Sequence, residues 1–218
     1  MASHQGTITE IEQLAPNVLQ LTVSLADTSF EFEPGQWVNF RFPAAGVSRA
    51  YTIASAPDRP QTVQLCIRVG SGRGGGALQT LQAGDAVTLE GPFGDFVLPP
   101  NDDRPLVFLA GDTGIAPVRS IVLHMLATSD PRSITVLYEP DQRHILYAAD
   151  FDPLARSGAI AHESGRIETL IERNRNRLRA ASIMACGFDP FLERAREALA
   201  AIDALTASVI SETFGPMP

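Results

Sequence analysis

Between residue 6 and about residue 98 apolar and polar positions alternate in short runs, and after residue 105 they give way to continuous apolar strands separated by helical periods. In the first stretch GTITEIEQL, NVLQLTVSL, QWVNFRF, SRAYTIAS, QTVQLCIRVG and DAVTLEG read as strands. In the fifth of these, Gln64, Cys66 and Arg68 alternate with Val63, Leu65, Ile67 and Val69, which gives one mixed and one apolar face. Ala15-Pro16, Pro34-Gly35, Ala56-Pro57-Asp58 and Ala83-Gly84-Asp85 punctuate the runs. Six short strands without long helices predict a small antiparallel barrel or sandwich. One segment interrupts them: GGGALQTL, a glycine-rich turn that opens a short helix.

LPPNDDRPL reads as the linker, so the expected domains are residues 1–99 and 104–218. Beyond it PLVFLAG is a continuous apolar strand, and APVRSIVLHMLATSD has helical spacing at Val118, Ile121, Val122 and Met125. SITVLYE, GAIAHE, ASIMACG and ASVISE are four further strands, with helical segments between them that include PFLERAREALAAI. Strands alternating with helices predict a five-stranded parallel sheet covered on both faces.

With 218 residues the chain has room for one large domain or two small ones, each with its own core. Its 44% hydrophobic and 19% charged content is that of a soluble globular protein. The net charge of −8 argues against duplex nucleic acid as a partner, because that affinity rests on neutralising phosphates. No apolar run approaches the ~20 residues that span a bilayer. MASHQGTITEIEQ lacks the basic-then-apolar pattern of a signal peptide, and a cytoplasmic protein is expected. Cys66 and Cys186 are too few for a four-thiolate iron–sulfur site and are expected as free thiols. No metal-ligand spacing is present, and His144 and His162 read as surface residues.

Two segments carry candidate chemistry. VSRAYTIASAP places a fixed cation, Arg49, and a flat aromatic, Tyr51, on one face of a strand, followed by the Thr52 hydroxyl. The planar fork of an arginine suits a phosphate. LVFLAGDTGIAP is a strand breaking into a turn with Gly111, Thr113 and Gly114, then Pro117 and a helix. Glycines permit close backbone approach, and a helix start offers N–H groups and a positive dipole end to an anion. One segment suits a planar ring bearing phosphate and the other a second phosphorylated ligand.

Together, and in this order, the two segments resemble the ferredoxin–NADP reductase-type oxidoreductases, and the resemblance runs over roughly residues 5–216. It implies a six-stranded antiparallel flavin-binding barrel followed by a five-stranded parallel nucleotide-binding domain. Arg49-Ala50-Tyr51-Thr52 matches the family's Arg-x-Tyr-Ser/Thr flavin signature. That match implies Arg49 on a phosphate, Tyr51 against the isoalloxazine and Thr52 toward its N5 edge. Ile67 and Arg68 resemble the strand that meets the flavin edge. Gly74, Gly75 and Gly76 fall at the pyrophosphate-binding turn, with Gly75 where the family has Ser or Thr. Gly91-Pro92-Phe93-Gly94 and Phe96 resemble the segment that closes the barrel and read as structural.

On the nicotinamide side, Gly111, Asp112, Thr113, Gly114 and Pro117 match the family motif, with Asp112 where a second glycine is usual. Cys186-Gly187 resembles the pair beside the nicotinamide, followed here by Phe188 in place of a proline. Glu212 and Phe214 resemble the C-terminal Glu-x-aromatic segment near the flavin. The resemblance implies hydride transfer between NAD(P)H and FAD, with FAD ahead of FMN, around Thr52, Cys186 and Glu212. Electrons would then pass to an acceptor protein on a separate chain, a ferredoxin being one candidate. The rival expectations are a non-catalytic subunit of a larger complex, and a reductase of free flavin or small quinones. After LYE, Glu139 would favour a ribose diol and Arg143 a 2′-phosphate, so the choice of NAD or NADP stays open.

Overall fold

The computed structural model describes residues 2–27, 29–42, 46–58, 61–70, 73–141, 144–204 and 209–216. The contacts of the chain divide into two compact units. The first takes Met1–Leu98 together with Arg119–Thr128, and the second takes Pro99–Val118 with Ser129–Met217.

In the first unit β1 (Ser3–Ala15), β2 (Val18–Leu25), β3 (Trp37–Phe42), β4 (Val47–Thr52), β5 (Thr62–Arg68) and β6 (Ala86–Phe93) form one sheet in the order β4-β3-β6-β1-β2-β5. Every pairing in it is antiparallel. A helix, α1 (Arg73–Leu78), lies between β5 and β6. The two ends of the sheet meet through the Ile53–Leu65 bridge and the Ala54 N–H, which donates to the Gln64 carbonyl at 2.7 Å, so the sheet closes as a barrel. The period-2 pattern decides its inside: Ile8, Leu21, Val23, Val38, Phe40, Leu65 and Leu89 are fully buried there. Each such side chain contributes about 1.5–3 kcal/mol by leaving water. β1 begins at Ser3, ahead of the expected residue 6, because its first residues pair with β6.

The second unit holds five parallel strands: β7 (Leu106–Gly111), β8 (Ile134–Glu139), β9 (Ala161–Ser164), β10 (Ser182–Gly187) and β11 (Val209–Thr213). Their order is β11-β10-β7-β8-β9. The continuous apolar runs reflect burial on both faces, since every residue of β7 and of β10 is buried. A 3₁₀ turn, Asp112–Gly114, leads from β7 into α2 (Ile115–Ala127). From Arg119 onward that helix groups with the barrel. The remaining helices are α3 (Ala148–Arg156), α4 (Ile167–Arg173), α5 (Arg175–Leu178) and α6 (Asp189–Ala201). From β7 the chain runs outward to β8 and β9, then returns to β10 on the other side. Open α/β sheets bind ligands at such a reversal, which here lies at the carboxyl ends of β7 and β10.

Two expectations need adjusting. The start of the last strand, Ala207 and Ser208, lies outside the described residues. His162 is not a surface residue: its ring lies 5.3 Å from that of Phe151, and its Nε2 is buried without a hydrogen-bond partner. Burial lowers its pKa, partly offset by Asp152. Among the described residues no helix is long and apolar enough to cross a membrane.

Candidate active site

The barrel half centres on β4. Its register sets Arg49 opposite Phe40 and Tyr51 opposite Val38, which puts both on one face of the sheet, while Thr52 turns the other way and is 6% exposed. The guanidinium of Arg49 is exposed and donates to the Ser48 carbonyl at 2.9 Å. Tyr51 meets Phe40 and Phe42 edge-on at 6.2 and 6.4 Å. Burial pushes its phenol up to about 12, against the opposing pull of Arg49. Ala50 is exposed between them. Ile67 points its side chain wholly into the core and pairs with Leu19 of β2, and Arg68 is half-buried beside it. Gly74, Gly75 and Gly76 fall in the first turn of α1, where N–H groups have no intrahelical acceptor. A methyl group at Gly76 would meet open space.

The segment after Thr52 is clamped from α2. Arg119, 9% exposed, donates Nη1 to the Ala54 carbonyl at 2.7 Å and to Gln64 Oε1 at 2.9 Å. Ser120 Oγ donates to the Ser55 carbonyl at 2.6 Å. Sequence reasoning did not single out these two residues. The available signal was a polar pair inside the otherwise apolar helix start APVRSIV.

In the second unit every residue from Gly111 to Val118 is buried. The glycines serve packing. A Cβ on Gly111 would lie 2.4 Å from the Phe191 ring of α6, and one on Gly114 would lie 2.2 Å from the Cys186 carbonyl. Asp112 sits at φ 52°, in the left-handed region that glycine enters freely and aspartate tolerates. The family's second glycine therefore has a conformational reason. Thr113 is 4% exposed, and Pro117 is buried in the first turn of α2.

Cys186, the last residue but one of β10, lies beside Ala110 of β7 on one side and Glu212 of β11 on the other. Burial first, and the Glu212 carboxylate second, push its thiol well up. It is a neutral S–H group there, not a nucleophile. The tail is stitched onto the turn that follows. The Phe214 N–H donates to the Gly187 carbonyl at 3.0 Å, and the Asp189 N–H to the Gly215 carbonyl at 2.9 Å. Thr213 Oγ1 donates to Asp189, and the rings of Phe188 and Phe214 meet edge-on at 5.8 Å. The structure thus groups Gly111–Pro117, Cys186, Gly187, Glu212 and Phe214 in one unit, and Arg49–Thr52, Ile67, Arg68 and Gly74–Gly76 in the other. Glu139 is engaged by neighbours of its own, whereas Arg143 lies outside the described residues.

Residues 5–98 match the family described as the oxidoreductase FAD-binding domain. The chain is 32% identical over 155 residues to the reductase component of a phenol 2-monooxygenase from a Pseudomonas species, covering 70% of this chain and 44% of that protein. It is 34% identical over 157 residues to ferredoxin–NADP reductase B of Sorangium cellulosum, covering 70% of this chain and 64% of the relative. The chain spans less than two thirds of the length of either. Among solved structures it superposes on the flavohaem-like FAD/NAD-binding domain of a nitric oxide dioxygenase from Vibrio cholerae with a TM-score of 0.84, at 20% identity, covering 98% of this chain and 99% of that one. The ferredoxin–NADP⁺ reductase of Plasmodium falciparum gives 0.82 at 18% identity, with 96% and 95% covered. At those identities the likeness is one of fold.

Proposed function

The chain belongs to the ferredoxin–NADP reductase-type family of FAD- and NAD(P)-binding oxidoreductases, and from that premise we propose that it passes hydride between NAD(P)H and FAD and electrons between the flavin and a separate acceptor protein. The observation that carries the reading is that one chain holds two built half-sites, one in each unit. One is a strand presenting Arg49 and Tyr51 on one face of a closed barrel, and the other is a glycine turn meeting Cys186 at the strand-order reversal.

The residues present fit both groups. The exposed Arg49 guanidinium and the first-turn N–H groups of Gly74, Gly75 and Gly76 suit a pyrophosphate, and the Tyr51 ring and the Ile67 and Arg68 peptides suit a flat polycyclic ring. Thr52, next to the clamped Ile53–Ser55 segment, would be the hydroxyl the resemblance gives to the flavin's N5 edge. Gly111, Asp112, Thr113, Gly114 and Pro117 form the turn for the nicotinamide nucleotide. Cys186 and Gly187 would border the nicotinamide, with the thiol held as a neutral dipole, and Glu212 and Phe214 keep the role near the flavin that the resemblance implies. Bound flavin supplies the two-electron-to-one-electron chemistry; the protein supplies position and surroundings.

On this reading residues 1–99 carry the flavin and residues 104–218 the nucleotide. The relatives are reductase components of oxygenases and a ferredoxin reductase, which supports an iron–sulfur or oxygenase-linked protein as acceptor. The two buried free cysteines support a reducing, cytoplasmic setting. The test is release and identification of the cofactor from the purified chain, followed by anaerobic reduction with NADH and NADPH. A colourless protein that binds neither FAD nor pyridine nucleotide would sink the reading. Rapid turnover of free flavin, with no transfer to any protein acceptor, would leave the fold chemistry intact and change the acceptor.

A further inference from the structure

Glu139 ends β8, and the parallel register sets it opposite Gly111, the last residue of β7 at the nucleotide turn. Neighbouring strands are about 4.8 Å apart, so Glu139 stands one strand from that turn. An acid there in a dinucleotide-binding sheet takes the ribose diol and disfavours a 2′-phosphate. Here the carboxylate is already committed. It accepts the Ile167 N–H at 2.6 Å, Arg194 Nη1 at 3.2 Å and Arg194 Nη2. Arg194 Nη1 also donates to Glu168 Oε1 at 3.0 Å, which accepts Arg166 Nη2 at 3.2 Å. Two acids and two arginines therefore form one chain with no net charge. The Glu139 and Arg194 side chains are 21% and 34% exposed, sheltered enough that salt screens them less than a surface pair. Burial favours a protonated Glu168, but its hydrogen bonds to backbone, Arg166 and Arg194 outweigh that and hold it at about 2, so this link stays ionised.

We propose that Arg194 sets the dinucleotide preference: by neutralising Glu139 it lifts the rejection of a 2′-phosphate, and the site accepts phosphorylated and unphosphorylated adenosine riboses alike. Arg194 acts through Glu139 and is a positioning residue. The inference rests on the reading of Gly111–Pro117 as the nucleotide turn.

Equilibrium binding of adenosine 2′,5′-bisphosphate and adenosine 5′-monophosphate to the full chain tests it, because these probes differ only in the 2′-phosphate. In the unaltered protein the two Kd values should agree within about tenfold. Arg194→Met keeps an apolar stem, removes the cation, and should weaken the bisphosphate by roughly tenfold or more relative to the monophosphate. Arg194→Lys should restore most of the ratio, and Glu139→Gln should tip it toward the bisphosphate. A purely structural role for Arg194 would move both probes together. An unchanged ratio in Arg194→Met and Glu139→Gln, with both probes bound, overturns the inference and leaves the proposed function standing. If neither probe binds the unaltered protein, the nucleotide reading fails and takes this inference with it.

Discussion

Cys186 shows how one residue's surroundings set its chemistry. It is wholly buried beside Glu212, and its thiol is pushed well above the value of about 8.5 that it has in an unfolded chain. The folded state therefore binds the thiol proton more tightly than the unfolded one. That contribution to stability is complete below about pH 8.5 and is lost as the pH rises toward the folded value. Cys186→Ala should cost about 1 kcal/mol at pH 7 through lost packing. It should also flatten the fall in the denaturation midpoint between pH 8.5 and 10, and parallel curves for variant and parent would contradict this. On the proposed reading Arg49→Ala should remove a charge-assisted phosphate contact of about 1.5–3 kcal/mol, or roughly one to two decades of flavin affinity. Absorbance after gel filtration measures it, and full flavin retention in both Arg49→Ala and Tyr51→Ala would refute the placement of the site. The types and order of these residues were legible in the sequence, but their partners were not. Nothing in LYE announces that Glu139 is tied to Arg194, fifty-five positions away, because that pairing depends on how α6 packs on the sheet.

Among the elements, the ones with a strong local period were the legible ones. β2 and β5 alternate over most of their length because one face of each lines the barrel, with Gln20 and Cys66 buried as well, and β7 and β10 are continuous apolar runs because both faces are covered. α4 and α5 are harder to read. Asn174 ends the first, its Nδ2 donating to the Leu170 carbonyl at 3.1 Å and to Glu163 Oε1 at 3.0 Å, and the second starts directly after it. β9 is only four residues long, and His162 reads as a surface residue in the sequence because its shelter comes from Phe151 of α3. The clamp from α2 is likewise tertiary. Arg119→Met should destabilise the barrel unit by about 2–3 kcal/mol through two lost charged hydrogen bonds. Faster amide exchange at Ala54 should accompany that loss, and protection at Ala54 equal to the parent's would show that the clamp is idle.

Over the whole molecule the proposed function divides the chemistry between the two halves of the sequence. Thr113→Val, in the buried turn, should slow reduction by NAD(P)H while leaving flavin content nearly unchanged, as stopped-flow and absorbance would record. Loss of flavin with normal nucleotide binding would reverse the assignment. With two cysteines, the chain should purify with flavin and less than one equivalent of iron, and reduce ferricyanide directly but a one-electron protein acceptor only when that partner is added. A net charge of −8 works against attraction of an acidic partner.

The membership of α2 carries a further consequence, for how such proteins recombine. The residues that fasten Ala54 and Ser55 are encoded after the proline-rich stretch, beyond the point where a gene fusion would most simply cut. A crossover at residues 98–106 would join this barrel to a foreign arginine–serine pair or to none. Inheritance of the barrel as a working module therefore requires that Arg119 and Ser120, or residues able to replace them, travel with it.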